Sequence, residues 1–259
     1  MDHRRSRMTL IAGALVLALL SASGCGGKQN TTTEPEDLST PDKVRMAQSM
    51  MNAGRVGDAL SLMDEALTDE PDNAGVWSFY GKFNFQAGKY DEAEKAFDRA
   101  LEIDPYMTDV HNFLGAVYNE QGRPDDAERE FLIALKDPAY PSPQMVYLNL
   151  GLLYATQGRD EEAISKLRSA VEIDPKYYQA HFELASLLDR SGKIGEAARE
   201  YEVAAPAYRN VGDYYYRLGF VYFRLGEKAK ARDNLERAIA VAPGSNSAAQ
   251  ADELLRMID

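Results

Sequence analysis

The sequence predicts an all-α fold, a right-handed superhelical solenoid in which pairs of helices repeat along the chain and a C-terminal helix caps the last pair. The first observation is a small residue after a large apolar one, recurring at spacings of 34, 34, 36, 34 and 34 residues by subtraction. The second is a glycine seven residues beyond each, and the third is a pair of alanines five and twelve residues beyond that glycine. The small residues, which we call the framework residues, are Ala47, Gly81, Gly115, Gly151, Ala185 and Gly219. The glycines beyond them are Gly54, Gly88, Gly122, Gly158, Gly192 and Gly226.

Each repeat is predicted to form a helix–turn–helix hairpin, with a helix A and a helix B. Glycine ends helix A because it adopts positive φ without steric cost. Small residues lie where the two helices cross, and large side chains such as Phe97 and Phe131 fill the space beside them. The 34-residue period with its glycines and alanines resembles the tetratricopeptide repeat. A proline closes helix B in four of the six repeats, at Pro71, Pro105, Pro175 and Pro243.

The six tetratricopeptide repeats occupy residues 41–243 and are predicted to start near residues 40, 74, 108, 144, 178 and 212. Repeat five departs from the pattern because Pro206 falls inside its expected helix B, and we expect that helix to be short or kinked. Pro243 and Gly244 then break the chain, so residues 244–259 are predicted to form a C-terminal capping helix. A terminal repeat needs such a cap, with a polar outer face, for solubility.

Residues 1–24 are predicted to be a signal peptide and not part of the solenoid. Three arginines precede an apolar run from Met8 to Leu20, which is too short to span a bilayer comfortably and has the length of a signal-peptide core. The following Ser21–Cys25 segment resembles the lipobox of bacterial lipoproteins, which implies a lipidated Cys25 as the mature N-terminus. Ala22 stands where those lipoproteins usually carry Leu, Val or Ile, so cleavage without lipidation stays open as the alternative.

Cys25 is the only cysteine in the chain, so no disulfide can form within it. A free thiol is unusual in an oxidising compartment, and a thioether-linked lipid removes that difficulty; a leftover cysteine in the signal segment is the alternative. The lipoprotein resemblance implies diacylglyceryl and N-acyl (palmitate) chains, and Gly26 implies sorting to the outer membrane, with the protein anchored on its periplasmic face. Residues 25–40 are polar, so this lipidated N-terminus is predicted to continue as a flexible tether.

The charge balance argues against nucleic acid as a partner. The formal net charge is −12, and removing residues 1–24, with three Arg and one Asp, leaves 26 basic against 40 acidic side chains, or −14. A nucleic-acid-binding surface needs a basic stripe, and none is visible. Metal-binding, phosphate-binding and nucleophile motifs are missing as well. We therefore expect a non-enzymatic protein with no cofactor, no metal and no small-molecule substrate.

Two histidines, His111 and His181, share one repeat position with Trp77 and Tyr147. This position lies four residues before the small residue of the repeat and is expected to pack between helices. A structural role is therefore predicted for both histidines. Ligand binding or catalysis is the alternative.

Helix A side chains line the concave surface of tetratricopeptide solenoids, so the resemblance implies a partner groove there. The positions six and three residues before each small residue, and one and four after it, are expected to face this groove. In repeats four to six these positions are largely apolar, and exposed apolar surface marks partner sites, with an amphipathic helix as the natural ligand. The alternative is that superhelical curvature buries the stripe between repeats. The predicted groove residues are Phe85, Asn112, Asn119, Met145, Leu148, Leu152, Phe182, Tyr216, Phe220 and Phe223.

The stretch 108–154 resembles a narrower family, the type IV pilus biogenesis lipoproteins, which are outer-membrane pilotins of the pilus secretin. The resemblance is carried by the Asp137–Pro143 linker, which adds two residues to its repeat, and by Asn112 and Asn149 near the framework glycines. Phe113 departs from the family, which has a second Asn there and a nearby Cys that this chain lacks.

The pilotin resemblance implies an outer-membrane lipoprotein that binds type IV pilus secretin subunits. It further implies that the protein promotes their membrane localisation and multimerisation, and hence pilus assembly and twitching or social motility. The alternative is a tetratricopeptide scaffold lipoprotein of another envelope assembly, such as outer-membrane protein insertion or cell-wall remodelling.

Overall fold

The computed structural model describes residues 38–258, which form thirteen α-helices and no strand. Successive helices pair as antiparallel hairpins, and each hairpin packs on the next, so the predicted all-helical solenoid of six repeats is confirmed. The odd-numbered helices α1 to α11 are helix A of each repeat, and the even-numbered ones are helix B. The helices are α1 Thr40–Asn52, α2 Val56–Asp69, α3 Ala74–Gln86, α4 Tyr90–Ile103, α5 Thr108–Glu120, α6 Pro124–Ala134, α7 Pro143–Thr156, α8 Asp160–Ile173, α9 Tyr178–Arg190, α10 Ile194–Ala204, α11 Gly212–Arg224, α12 Lys228–Val241 and α13 Asn246–Ile258.

Glycines at two positions of the repeat act for different physical reasons. Gly122 ends helix A with φ of 72°, where a Cβ would meet no atom within 4 Å, so backbone conformation and not space requires glycine there. At Gly115 the reverse holds, because a Cβ would lie 2.6 Å from the Phe131 ring. Helix A and helix B therefore approach closely only where the framework residue is small.

The core runs continuously through most of the solenoid. The pair of alanines that follows the turn glycine of each repeat is fully buried. The largest fully buried side chains include Phe97, Phe131, Tyr201 and Tyr214. A separate small cluster around Met63 joins the first repeat to Val76 and Phe83 of the second. Since each hairpin buries its apolar face only against its neighbours, the stability of this fold is distributed along its length.

Two local departures from the regular repeat shape the C-terminal half. Helix α10 has 11 residues, as α6 has, against 14 in the other four helices B, and ends two residues before Pro206, which confirms the predicted shortening. The last helix, α13, packs on α11 and α12, and buries Ala251 and Ile258. Its start is capped by Ser245, whose Oγ accepts the Ala248 N–H at 3.1 Å.

The signal peptide, the lipidated Cys25 and most of the tether lie outside the described residues and stay predictions. Within residues 38–258, no helix is both long and apolar enough to cross a bilayer.

Candidate partner-binding groove

Successive helices A lie side by side, since α3 contacts α5, α5 contacts α7 and α7 contacts α9. We call the surface that the helices A of repeats two to six present together the groove. Met145 is its most open apolar residue, with 42% of its surface exposed. Seven further predicted groove residues are partly exposed: Phe85, Asn119, Leu152, Phe182, Tyr216, Phe220 and Phe223.

The prediction that Asn112 and Leu148 face the groove is wrong, because each is only 3% exposed. Both lie three residues before the framework glycine, and Ser78 at the same position of repeat two is buried as well. Residues three apart share one face of a helix. This position therefore lies on the same face as the framework residue and is buried where the hairpins pack together. In repeats five and six the bulkier Phe182 and Tyr216 reach the surface from this position.

Buried Asn112 instead joins repeats three and four. Its Oδ1 accepts a hydrogen bond from Asn149 Nδ2 at 3.0 Å. Asp137 anchors the start of the same linker, accepting from Thr108 Oγ1 at 2.7 Å and from the Ala139 N–H at 2.9 Å. These bonds hold the pKa of Asp137 below its usual value. The long linker and its asparagines therefore fix one hairpin against the next.

The C-terminal half of the groove has an aromatic floor. Phe182 stacks on Tyr208 with ring centroids 4.6 Å apart, and Tyr216 stacks on Phe220 at 6.3 Å. The Tyr201 hydroxyl shares a hydrogen bond of 2.9 Å with Ser186 Oγ. Rigid rings of this kind offer contact area to an apolar partner at low entropic cost.

Ion pairs border this aromatic floor and continue towards the N-terminal repeats. Arg217 bonds to Asp213 at 2.6 Å, and Arg224 pairs with Asp189. In repeats two and three Lys82 pairs with Asp109 at 2.8 Å. The groove therefore presents apolar surface inside a polar border, which is the general anatomy of a protein interface.

Sequence reasoning missed Glu183 and Arg217, which lie two residues before the framework residues of repeats five and six. Both line a cavity of about 270 Å³ between α7, α9 and α11. The sequence carries a signal for these two residues, because their position is uncharged in repeats two to four and charged in repeats five and six. The same position holds Phe79, Phe113 and Asn149 in repeats two to four.

The histidine position packs as predicted. Trp77 Nε1 donates to the Pro71 carbonyl at 2.7 Å, and His181 Nε2 lies 3.2 Å from the equivalent Pro175 carbonyl. His181 Nδ1 also contacts Glu200 of helix B at 2.6 Å, and His111 contacts Glu130 in the same way at 2.7 Å. These contacts tie helix A to its own helix B. In residues 38–258 no group of His, Cys, Asp or Glu side chains is arranged to hold a metal ion.

Comparison with protein families identifies the repeat. A tetratricopeptide repeat model matches residues 44–108 and 114–178, and two further tetratricopeptide models match residues 154–218 and 212–245.

Solved structures share the fold at low sequence identity. PilW, described as a widely conserved type IV pilus biogenesis factor, superposes with a TM-score of 0.72 and 24% identity, over 85% of this chain and 97% of its own. Pseudomonas aeruginosa PilF superposes with a TM-score of 0.73 and 18% identity, over 84% of this chain and 97% of its own. YrrB, described as having an unusual peptide-binding site, has a TM-score of 0.58 and 21% identity over 74% of this chain and 97% of its own.

A curated relative matches over a short segment. It is the probable biofilm formation methyltransferase WspC of Pseudomonas putida, 40% identical over 70 residues. The match spans 27% of this chain and only 16% of that protein, which corresponds to about two repeats.

Proposed function

This chain belongs to the tetratricopeptide repeat family, and from that premise we propose that it is an outer-membrane lipoprotein of type IV pilus biogenesis. It binds subunits of the pilus secretin, and it promotes their localisation to the membrane and their assembly into multimers. The protein carries out no chemical reaction, and its groove is the surface that meets the partner.

The observation that carries this proposal is the open apolar surface of the groove in repeats four to six. Met145 and Leu152 on α7, and Phe220 and Phe223 on α11, keep part of their surface accessible on either side of α9. Exposed apolar patches with a polar border mark sites of protein association. The shared architecture with PilW and PilF, over nearly the whole of those two chains, supports the choice of a pilus partner.

The proposed mechanism combines tethering with shielding. Acyl chains on Cys25 hold the protein on the periplasmic face of the outer membrane, and two or more chains suffice for stable anchoring. The groove takes up an apolar or amphipathic segment of a secretin subunit. Tethering raises the local concentration of subunits, and the covered segment is protected from aggregation until the secretin ring closes.

The test is made in a strain that lacks this gene, complemented with wild-type protein or with Cys25→Ala. Outer-membrane fractions are probed for detergent-resistant and heat-resistant secretin multimers. We expect the multimers to be lost in the deletion strain and restored by the wild type alone. Restoration by both proteins contradicts the anchor, whereas unchanged multimers in the deletion strain contradict the secretin role and favour a scaffold in another envelope assembly.

A further inference from the structure

A cavity opens into the groove where helices α7, α9 and α11 come together. Its volume is about 270 Å³, and Leu152, Ala155 and Leu187 form apolar parts of its wall. Glu183 and Arg217 supply charged groups from α9 and α11. The cavity adjoins two of the apolar groove positions, Leu152 and Ala155, so a segment lying along the groove passes directly over it.

The charges that line this cavity are paired, with one exception. Arg217 bonds to Asp213 at 2.6 Å, Arg190 to Asp160 at 2.7 Å, and Asp189 to Arg224. Glu183 forms no hydrogen bond or ion pair with any residue in the part of the chain that the structure describes. Arg217, whose Nε donates to Asp213, acts on the Glu183 carboxylate only through space.

The isolated carboxyl of Glu183 is also partly withdrawn from water. Burial raises its pKa, and the more distant Arg217 only partly opposes that effect. A carboxylate placed in such surroundings without a partner costs stability. The equivalent positions in repeats two to four are Phe79, Phe113 and Asn149, so the fold of the repeat does not require an acid there.

We propose that this cavity receives a lysine or arginine side chain of the bound partner segment, with the carboxylate of Glu183 as its counter-ion. The aliphatic stem of that side chain lies against Leu152 and Ala155, while the cationic head reaches Glu183. The partner segment is therefore apolar with one basic residue at a fixed place. This inference refines the proposed function, since it specifies the chemistry of the segment that the groove binds.

The charge of the whole solenoid agrees with a basic partner segment. After removal of residues 1–24 the chain carries 40 acidic against 26 basic side chains. An acidic surface attracts cationic segments over a distance and speeds their association. The pairing with Glu183 then fixes the register of the segment along the groove.

Glu183→Gln is the test variant, and Glu172→Gln on the exposed end of helix α8 is the matched control. Because burial raises the pKa of Glu183, the neutral glutamine is expected to keep the fold at least as stable as the wild type near neutral pH. Thermal unfolding of both variants verifies this before binding is measured.

The first measurement uses a displayed library of random peptides, which makes it independent of the secretin. Selection on the wild type and on Glu172→Gln is expected to enrich apolar peptides with one Lys or Arg position. Selection on Glu183→Gln is expected to lose that basic preference. For an enriched peptide, replacement of its basic residue by Met or the use of Glu183→Gln should raise Kd about ten- to a hundredfold. Enriched peptides without a basic preference, or no enrichment at all, overturn the inference.

A second measurement tests separately whether the secretin is the partner. Overlapping peptides that cover the pilus secretin are tested for binding to the wild type and to Glu183→Gln. Failure of every secretin peptide, together with a basic preference in the random library, contradicts the secretin as partner and leaves the Glu183 pocket standing. Secretin peptides that bind both proteins equally overturn the pocket and keep the secretin.

Discussion

Single arginines join adjacent repeats through a recurring contact. In repeat four the Arg159 guanidinium stacks on the Tyr154 ring at 4.0 Å and bonds to Glu128 of the preceding helix B at 3.1 Å. The Tyr154 hydroxyl donates to the same Glu128 at 2.7 Å. Repeat three repeats the arrangement with Arg123, which stacks on Tyr118 at 4.1 Å. Because each contact spans two hairpins, one residue couples neighbouring units.

The buried tyrosines of these contacts predict a loss of stability in alkali. Burial raises the pKa of both Tyr118 and Tyr154 to about 12, from a usual value of 10.0. The folded state thus holds the phenolic proton more tightly than the unfolded chain, so this stabilisation is complete below pH 10 and is lost as the pH rises through about 12. The double variant Tyr118→Phe/Tyr154→Phe should lose less stability between about pH 8 and about pH 11.5 in urea unfolding.

The control for the tyrosine experiment is Tyr106→Phe, because Tyr106 is 90% exposed. It should lose as much stability in alkali as the wild type. An equal alkaline loss in the double variant would show that Tyr118 and Tyr154 do not carry the effect.

Whole helices in this molecule are stabilised by their neighbours more than by their own sequence. Helices of 11 to 14 residues are marginal in isolation, and most of them here have no side-chain cap at the start. Each helix B packs first on its own helix A and then on the helix A of the next repeat. The sixth hairpin is followed by α13, which covers a surface of α11 and α12 that would otherwise be open.

Removal of the capping helix should therefore destabilise the C-terminal repeats. A chain ending after Ala242 lacks Ala251 and Ile258, which are buried against α11 and α12. The loss of even one large buried apolar side chain costs about 2 kcal/mol. We expect a lower melting temperature by circular dichroism and stronger binding of a dye specific for apolar surfaces.

Met257→Ser in the full chain serves as the control for the truncation, because Met257 lies on the same helix but is largely exposed. It should unfold like the wild type. A truncated chain with an unchanged melting temperature would mean that α13 is not a cap.

At the scale of the whole molecule, one face carries the open apolar surface that the proposed function needs. The helices A form the groove, whereas Arg123 and Arg159 reach back to Glu94 and Glu128 on the helix B of the preceding repeat. Substitutions of exposed groove residues should therefore weaken partner binding and leave the fold intact. Substitutions of exposed apolar residues on helix B, outside the groove, provide the matched controls.

The double variant Met145→Ser/Phe220→Ser is expected to reduce secretin multimers in complemented cells, because it removes apolar contact area from the groove. The control is Leu132→Ser/Ile173→Ser, two helix B residues that are 41% and 46% exposed. Both proteins should show the helical circular dichroism of the wild type. Equal levels of multimers in the two strains would contradict a partner role for the groove.

The repeat and the sites of close helix crossing were predictable from the sequence. Gly115 and Gly122 follow from local geometry, since a positive φ and a missing Cβ are properties of a single residue. The shortened α10 was predictable from Pro206 for the same reason. Positions such as Met145 and Phe220 were placed on the groove because the helical period decides which face a residue occupies.

What the sequence determined by itself is the solenoid of six hairpins and its cap, because these depend on side-chain size and backbone conformation repeated at a fixed period. Only the tertiary structure decided that Asn112 and Leu148 are buried and that Glu183 has no hydrogen-bond or ion-pair partner within residues 38–258. Burial and pairing depend on atoms that the neighbouring hairpins bring close. Residues more than thirty positions apart, such as Asn112 and Asn149, meet only after the hairpins have stacked.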